Sequence, residues 1–188
     1  MALELNGTTG VSLVQDGVVT AADLSSTLDL SGKTVTLPAG TGGKVINVYS
    51  DSYSGQNTIN PGSDGTGYHD TGLLLTITPT STSSRFVIFA DLNSVFKEGG
   101  GANSVHYRLM RDTGSGYNNI YQGGAGWIAY AVTGSLGVGT ASMSYIDSPA
   151  QTSSVSYKVQ FKSENTNTIV GFNGSSTRSE IIIWELSS

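Results

Sequence analysis

The sequence predicts an all-β fold: an antiparallel β-sandwich or jelly roll, preceded by a small extended N-terminal segment. Three observations predict it. Gly, Ser and Thr together make up 73 of the 188 residues, and all three are weak helix formers. Nine or ten short runs rich in β-branched and aromatic residues recur between turn signals along residues 41–188, the spacing of a sandwich rather than of βαβ units. Residues 155–162 alternate cleanly, with Val155, Tyr157, Val159 and Phe161 on one side and Ser156, Lys158, Gln160 and Lys162 on the other, as a half-buried strand requires. Disorder is excluded by a hydrophobic share of 37% and a net charge of only -5.

The chain changes character near residue 40. Residues 1–40 carry spaced Leu and Val, beginning with Leu3, Leu5, Val11 and Leu13, and no aromatic residue. Such a segment makes a poor core alone and is expected to pack against copies of itself or a partner. Asn6-Gly7, Asp16-Gly17, Ser31-Gly32 and Pro38-Ala39-Gly40 mark its turns. Residues 20–23 read either as the cap of one short helix or as a solvated turn.

Residues 41–188 form the predicted sandwich. Strands are expected at 44–50, at 73–78 up to Pro79, and at 85–92, which is apolar on both faces. Residues 105–110 and 117–122 should pair across Gly114-Ser115-Gly116. Residues 127–132 and 140–146 flank a Gly-rich turn at 134–139, and 155–162, 168–172 and 180–186 complete the set. In the last strand Ile181, Ile182, Ile183 and Trp184 are consecutive and apolar, so both of its faces want burial. A sandwich strand normally shows one face to water. The second cover is expected to be a neighbouring subunit, through Ile181, Ile183 and Trp184; the alternative is an overhanging loop. If its ring is buried, Trp184→Ala should cost about 3–5 kcal/mol.

Composition removes several functions. There is no Cys, hence no disulfide framework, no Cys-bearing zinc site and no thiol nucleophile. Nine Lys and Arg against fourteen Asp and Glu give no basic footprint for nucleic acid. No apolar run approaches the ~20 residues that cross a bilayer, and the N-terminus shows no secretory signal. The expected site of synthesis is a cytoplasm.

No catalytic, metal or cofactor site is expected. The two histidines, His69 and His106, lie near no Gly-x-Ser-x-Gly elbow. Most acids sit beside turn residues, where Asp serves turn chemistry. Asp91, Asp147, Glu180 and Glu185 lie in or beside strands, and their expected role is solvent-facing charge that discourages edge pairing. A Ca²⁺ shared by Asp64 and Asp70 is the one metal alternative. Gly40-Thr41-Gly42-Gly43-Lys44 has the wrong spacing for a phosphate loop.

A binding surface is the more natural reading. Tyr53, Tyr68, Tyr117 and Tyr121 fall in or beside polar Gly-rich stretches at 50–70 and 112–126. Tyr among Ser, Gly and Asn is the chemistry of adaptable recognition loops; ordinary turns with Tyr packed on the backbone are the alternative.

Two stretches resemble a known family. Residues 73–92, LLLTITPTSTSSRFVIFADL, and 143–162, MSYIDSPAQTSSVSYKVQFK, resemble two hairpins of fibre-like virion proteins of tailed bacteriophages. The closing EIIIWEL resembles that family's terminal strand, and LNGTTG with DGVVTAADL resembles its N-terminal repeat. The resemblance implies a homotrimer of jelly-roll-like heads and no enzymatic activity. It implies attachment to other virion proteins, tail or capsid, through residues 1–40, and outward display of residues 41–188. The expected location is the virion surface, after synthesis in the bacterial host, with a host surface glycan or protein as the outward partner. With no shaft after residue 43, a short appendage and a capsid decoration protein both fit; a free lectin or glycan hydrolase is the reading from another class.

Overall fold

The computed structural model describes residues 45–60, 67–98, 105–122, 136–164, 169–173 and 177–187, all within the unit Gly43–Ser188. Residues 1–40, with Leu3, Leu5, Val11 and Leu13, and the strand expected at 127–132 lie outside them.

Among the described residues ten strands run in order: β1 (Val45–Tyr53), β2 (Asn57–Ile59), β3 (His69–Ile77), β4 (Arg85–Glu98), β5 (Val105–Asp112), β6 (Tyr117–Gln122), β7 (Leu136–Asp147), β8 (Val155–Ser163), β9 (Ile169–Phe172) and β10 (Ser179–Leu186). Their pairing is nested. β1 pairs with β10, β2 with β9, β3 with β8, β4 with β7 and β5 with β6, each antiparallel. The chain is thus one long two-stranded ribbon folded back at the β5–β6 turn. Rolling the ribbon adds β10·β4, β4·β9 and β5·β8. The result is a four-stranded sheet, β3-β8-β5-β6, and a six-stranded sheet running β1-β10-β4-β9-β2, with β7 also paired to β4. This nested order is that of a jelly roll.

The strands form because their inward positions are apolar and β-branched. Val155, Tyr157, Val159 and Phe161 are fully buried, as the alternation predicts. They meet Phe86, Ile88, Ala90, Ile181 and Ile183 from the opposite sheet in one core. Several elements are longer than expected. β4 continues to Glu98 because it changes partner, from β10 to β9, around a bulge at residues 92–95. Ser94 takes a positive φ of 46° there. Asn93 fills the break: its backbone N–H donates to Ser179 Oγ (2.9 Å), its Nδ2 to the Arg178 carbonyl (2.6 Å), and its carbonyl accepts from Asn173 N–H (2.7 Å). β7 extends back through part of the expected Gly-rich turn, and β2 is a three-residue strand inside the expected loop 50–70.

The Ser/Thr-rich turn and the two buried carboxylates close one end of the sandwich, where β1 and β8 begin and β7 and β10 end. Glu185 is fully buried. Its Oε1 accepts from the Thr80 backbone N–H (2.7 Å), Thr80 Oγ1 (2.8 Å) and Ser84 Oγ (2.7 Å). Its Oε2 accepts from Asn47 Nδ2 (2.8 Å) and Tyr49 Oη (3.0 Å). Burial alone would raise its pKa, but these donors outweigh it and bring the carboxyl from 4.5 down to about 2. Asp147 accepts from Arg111 Nη1 (2.7 Å) and from the buried Tyr157 hydroxyl (2.7 Å), tying β7 of one sheet to β5 and β8 of the other. Burial and Asp147 together push the Tyr157 hydroxyl well above the usual tyrosine range.

Candidate functional site

The outer face of β1-β10-β4-β7 is apolar in its middle. Register lines Val48, Trp184, Val87 and Ile146 in one row across all four strands. The next row is Ser50, Ile182, Phe89 and Ser144. Val48 is 62% exposed, Ile146 51% and Trp184 40%. Phe89 and Trp184 meet edge to face, with centroids 5.3 Å apart. One end of the patch carries Arg85 beside Leu186; the other carries Asp91 beside Glu180.

The outer face of β3-β8-β5-β6 is polar. Its middle row is Asp70, Gln160, Arg108 and Gln122. Arg108 Nε donates to Gln160 Oε1 (2.8 Å), and Gln160 Nε2 donates to Asp70 Oδ1 (2.6 Å). Lys158 Nζ lies 2.9 Å from the same carboxylate. Partial burial would raise the Asp70 pKa, but the bonds from Lys158 and Gln160 hold it below the usual range. The Arg108 guanidinium lies 3.9 Å from the Tyr68 ring centroid and Lys158 Nζ 4.3 Å from that of Tyr117. At the end of β8, Glu164 pairs with His106 (2.6 Å) and approaches Lys162 (3.7 Å). The Tyr68 hydroxyl is buried without a hydrogen-bond partner, and that burial raises its pKa.

The four expected recognition tyrosines therefore separate. Tyr68 and Tyr117 share the polar outer face. Tyr53 and Tyr121 pack against the core, Tyr53 against Phe172 (6.1 Å) and Tyr121 against Tyr145 (5.5 Å). The expected loop 50–70 is a loop only in part, because β1 runs on to Tyr53 and, from Asn47 onward, turns its odd-numbered residues inward.

The expected subunit contact also changes. Ile181 and Ile183 are fully buried inside the sandwich, so neither has surface to offer another chain. Their neighbours Ile182 and Trp184 face outward. The two-sided apolar character of this strand is real; of the three expected contact residues Trp184 is on the outer face, while Ile181 and Ile183 are not. The acids divide in the same manner. Asp91 and Glu180 lie on the outer face, on interior strands rather than edges. Asp147 and Glu185 are not solvent-facing; both are buried and committed to neighbouring donors. No group of three or more acid, His or Cys side chains suited to a metal occurs among the described residues. Asp64 lies outside them, and Asp70 is engaged by Lys158 and Gln160.

The role of the Ser/Thr-rich turn had no signal of its own in the sequence. Thr80 and Ser84 bind a carboxylate more than a hundred positions away. The two stretches that carry the family resemblance are those tied by the buried acids, one by Glu185 and one by Asp147.

No family model matches the chain, and no curated protein does. Among solved structures it is similar to a chain of infectious bursal disease virus, Gt strain, at 10% identity and a TM-score of 0.37, covering 82% of this chain and 42% of that one. A chain of the Gx strain is similar at 9% identity and a TM-score of 0.34, covering 81% and 40%. The chain thus spans less than half the length of these neighbours.

Proposed function

We propose that this chain is a virion structural protein, a short appendage attached through residues 1–40 that turns the polar face of β3-β8-β5-β6 toward a host surface glycan or protein. The observation that carries this reading is the division of the sandwich into two unlike outer faces. An apolar face of this kind is rare on a free monomer and marks an assembly surface. The opposite face offers Tyr117, Arg108, Lys158, Asp70 and the Gln122 amide, the mixture of flat rings and polar groups that recognition surfaces use. The resemblance of residues 73–92 and 143–162 to fibre-like virion proteins supports the same reading. A capsid decoration protein is the second reading, favoured by the absence of any shaft between residue 40 and β1.

Purified chain should bind host cells, and Tyr117→Ala with Arg108→Ala should weaken that binding while leaving the fold intact. Binding unchanged by both substitutions would remove the polar face as the contact. Electron micrographs of particles labelled with antibody to this chain separate the two placements, tail for the appendage and head for the decoration protein.

A further inference from the structure

We propose that the apolar face of β1-β10-β4-β7 is closed by the same face of a second copy, through a two-fold axis that lies in the contact plane and runs across the strands. This inference goes beyond the virion reading and does not depend on it.

The face carries its own complement. Along β4 the outward residues are Arg85, Val87, Phe89 and Asp91, and along β10 they are Leu186, Trp184, Ile182 and Glu180. Apolar rows occupy the middle, a cation one end and acids the other. Arg85 and Asp91 make no ion pair among the described residues, and Glu180 meets only the exposed Arg178 at 3.9 Å. Six residues of strand separate Arg85 from Asp91, about 20 Å at ~3.3 Å per residue, so the two cannot meet within one chain.

Two sheets packed face to face keep their strands nearly aligned, parallel or antiparallel. With the axis between the Val87 and Phe89 rows, β4 lies over β4 in the opposite sense. Arg85 of each copy then faces Asp91 of the other, and Trp184 packs on the second copy's Ile182. Every contact occurs twice, as an isologous interface demands. A threefold arrangement with strands along its axis does the reverse: it gathers three Arg85 at one end and three acidic sets at the other. Like charges at both ends oppose it. The charge order on this face therefore selects two copies over three at this contact.

The patch spans about 20 Å along the strands and about 19 Å across four of them. That footprint, about 400 Å² per copy, is that of a weak and transient contact rather than of a standard interface. The test is sedimentation equilibrium of the full chain up to about 0.5 mM, a concentration at which a weak contact is populated. A reversible monomer–dimer equilibrium is expected. Arg85→Asp alone and Asp91→Arg alone should each weaken it about tenfold or more, because each places like charges opposite one another. The chain carrying both substitutions should recover to within about threefold of the wild type. Ile146→Asp, on the apolar row, should abolish association without changing the circular dichroism spectrum. A trimer mass, a monomer at every concentration, or failure of the double substitution to recover would each overturn the proposal.

Discussion

Replacing Glu185 by Gln isolates the contribution of the buried carboxylate. The shape is kept and the charge is lost. One oxygen can still accept from Thr80 and Ser84, while the new amide faces Asn47 Nδ2 and Tyr49 Oη, which now act as donors. The magnitude follows from linkage. A folded pKa of about 2 against 4.5 is about 2.5 units, or about 3 kcal/mol of stability contributed by the ionised form. The sign is that of a depressed carboxyl: the contribution is complete above pH 4.5 and is lost as pH falls toward 2. Urea unfolding of wild type and Glu185→Gln at pH 7 should differ by about 3 kcal/mol, or a drop in Tm of about 6–12 °C for a domain of this size. At pH 2.5 the gap should shrink to about 1 kcal/mol. A variant within about 0.5 kcal/mol of wild type at pH 7, or a gap of constant size at both pH values, would refute the reasoning.

Three further outcomes are expected. Tyr157→Phe leaves one oxygen of buried Asp147 without its donor and should cost about 1–3 kcal/mol by urea unfolding. Gly171→Ala should destabilise by a similar amount, about 1–3 kcal/mol, since its Cβ would stand 2.5 Å from the Asn57 carbonyl oxygen and 2.8 Å from the Phe96 ring; an unchanged midpoint would mean β9 can move away from β2. Trp184→Ala should cost only about 1–2 kcal/mol in the monomeric chain, because the ring is 40% exposed, and a loss of 4 kcal/mol or more at low concentration would show it covered within one chain.

The sequence made the architecture legible where one face is apolar and the other polar. In β8 the alternation identified the four inward apolar residues, Val155, Tyr157, Val159 and Phe161, though not the buried Ser163 at its end, because a period of two is decisive when only one side is buried. It failed where both sides are apolar. For Ile181 to Trp184, composition shows that two covers are needed but not which residue meets which, since that depends on register with β4 and β1. β2 was missed because three residues carry no period. Tyr53 and Tyr121 read as loop residues from their Gly- and Asn-rich neighbours; in the fold, inward positions decide their fate. The buried acids were the hardest to read. Glu185 and Asp147 look like ordinary strand-end charges until the turn at residues 80–84 and Tyr157 are brought to them, and long-range hydrogen bonding leaves no local pattern. The polar row Asp70–Gln160–Arg108 was hidden for the same reason: its members are far apart in the chain and adjacent only through the pairing of β3, β8 and β5.

The central claim is that this chain is part of a virus particle. Quantitative mass spectrometry of purified particles from cells that make it tests that claim directly. The account predicts peptides of this chain in the particles, in a fixed ratio to the other particle proteins from one preparation to the next. Peptides found only in the infected-cell extract, and absent from the particles, would contradict it.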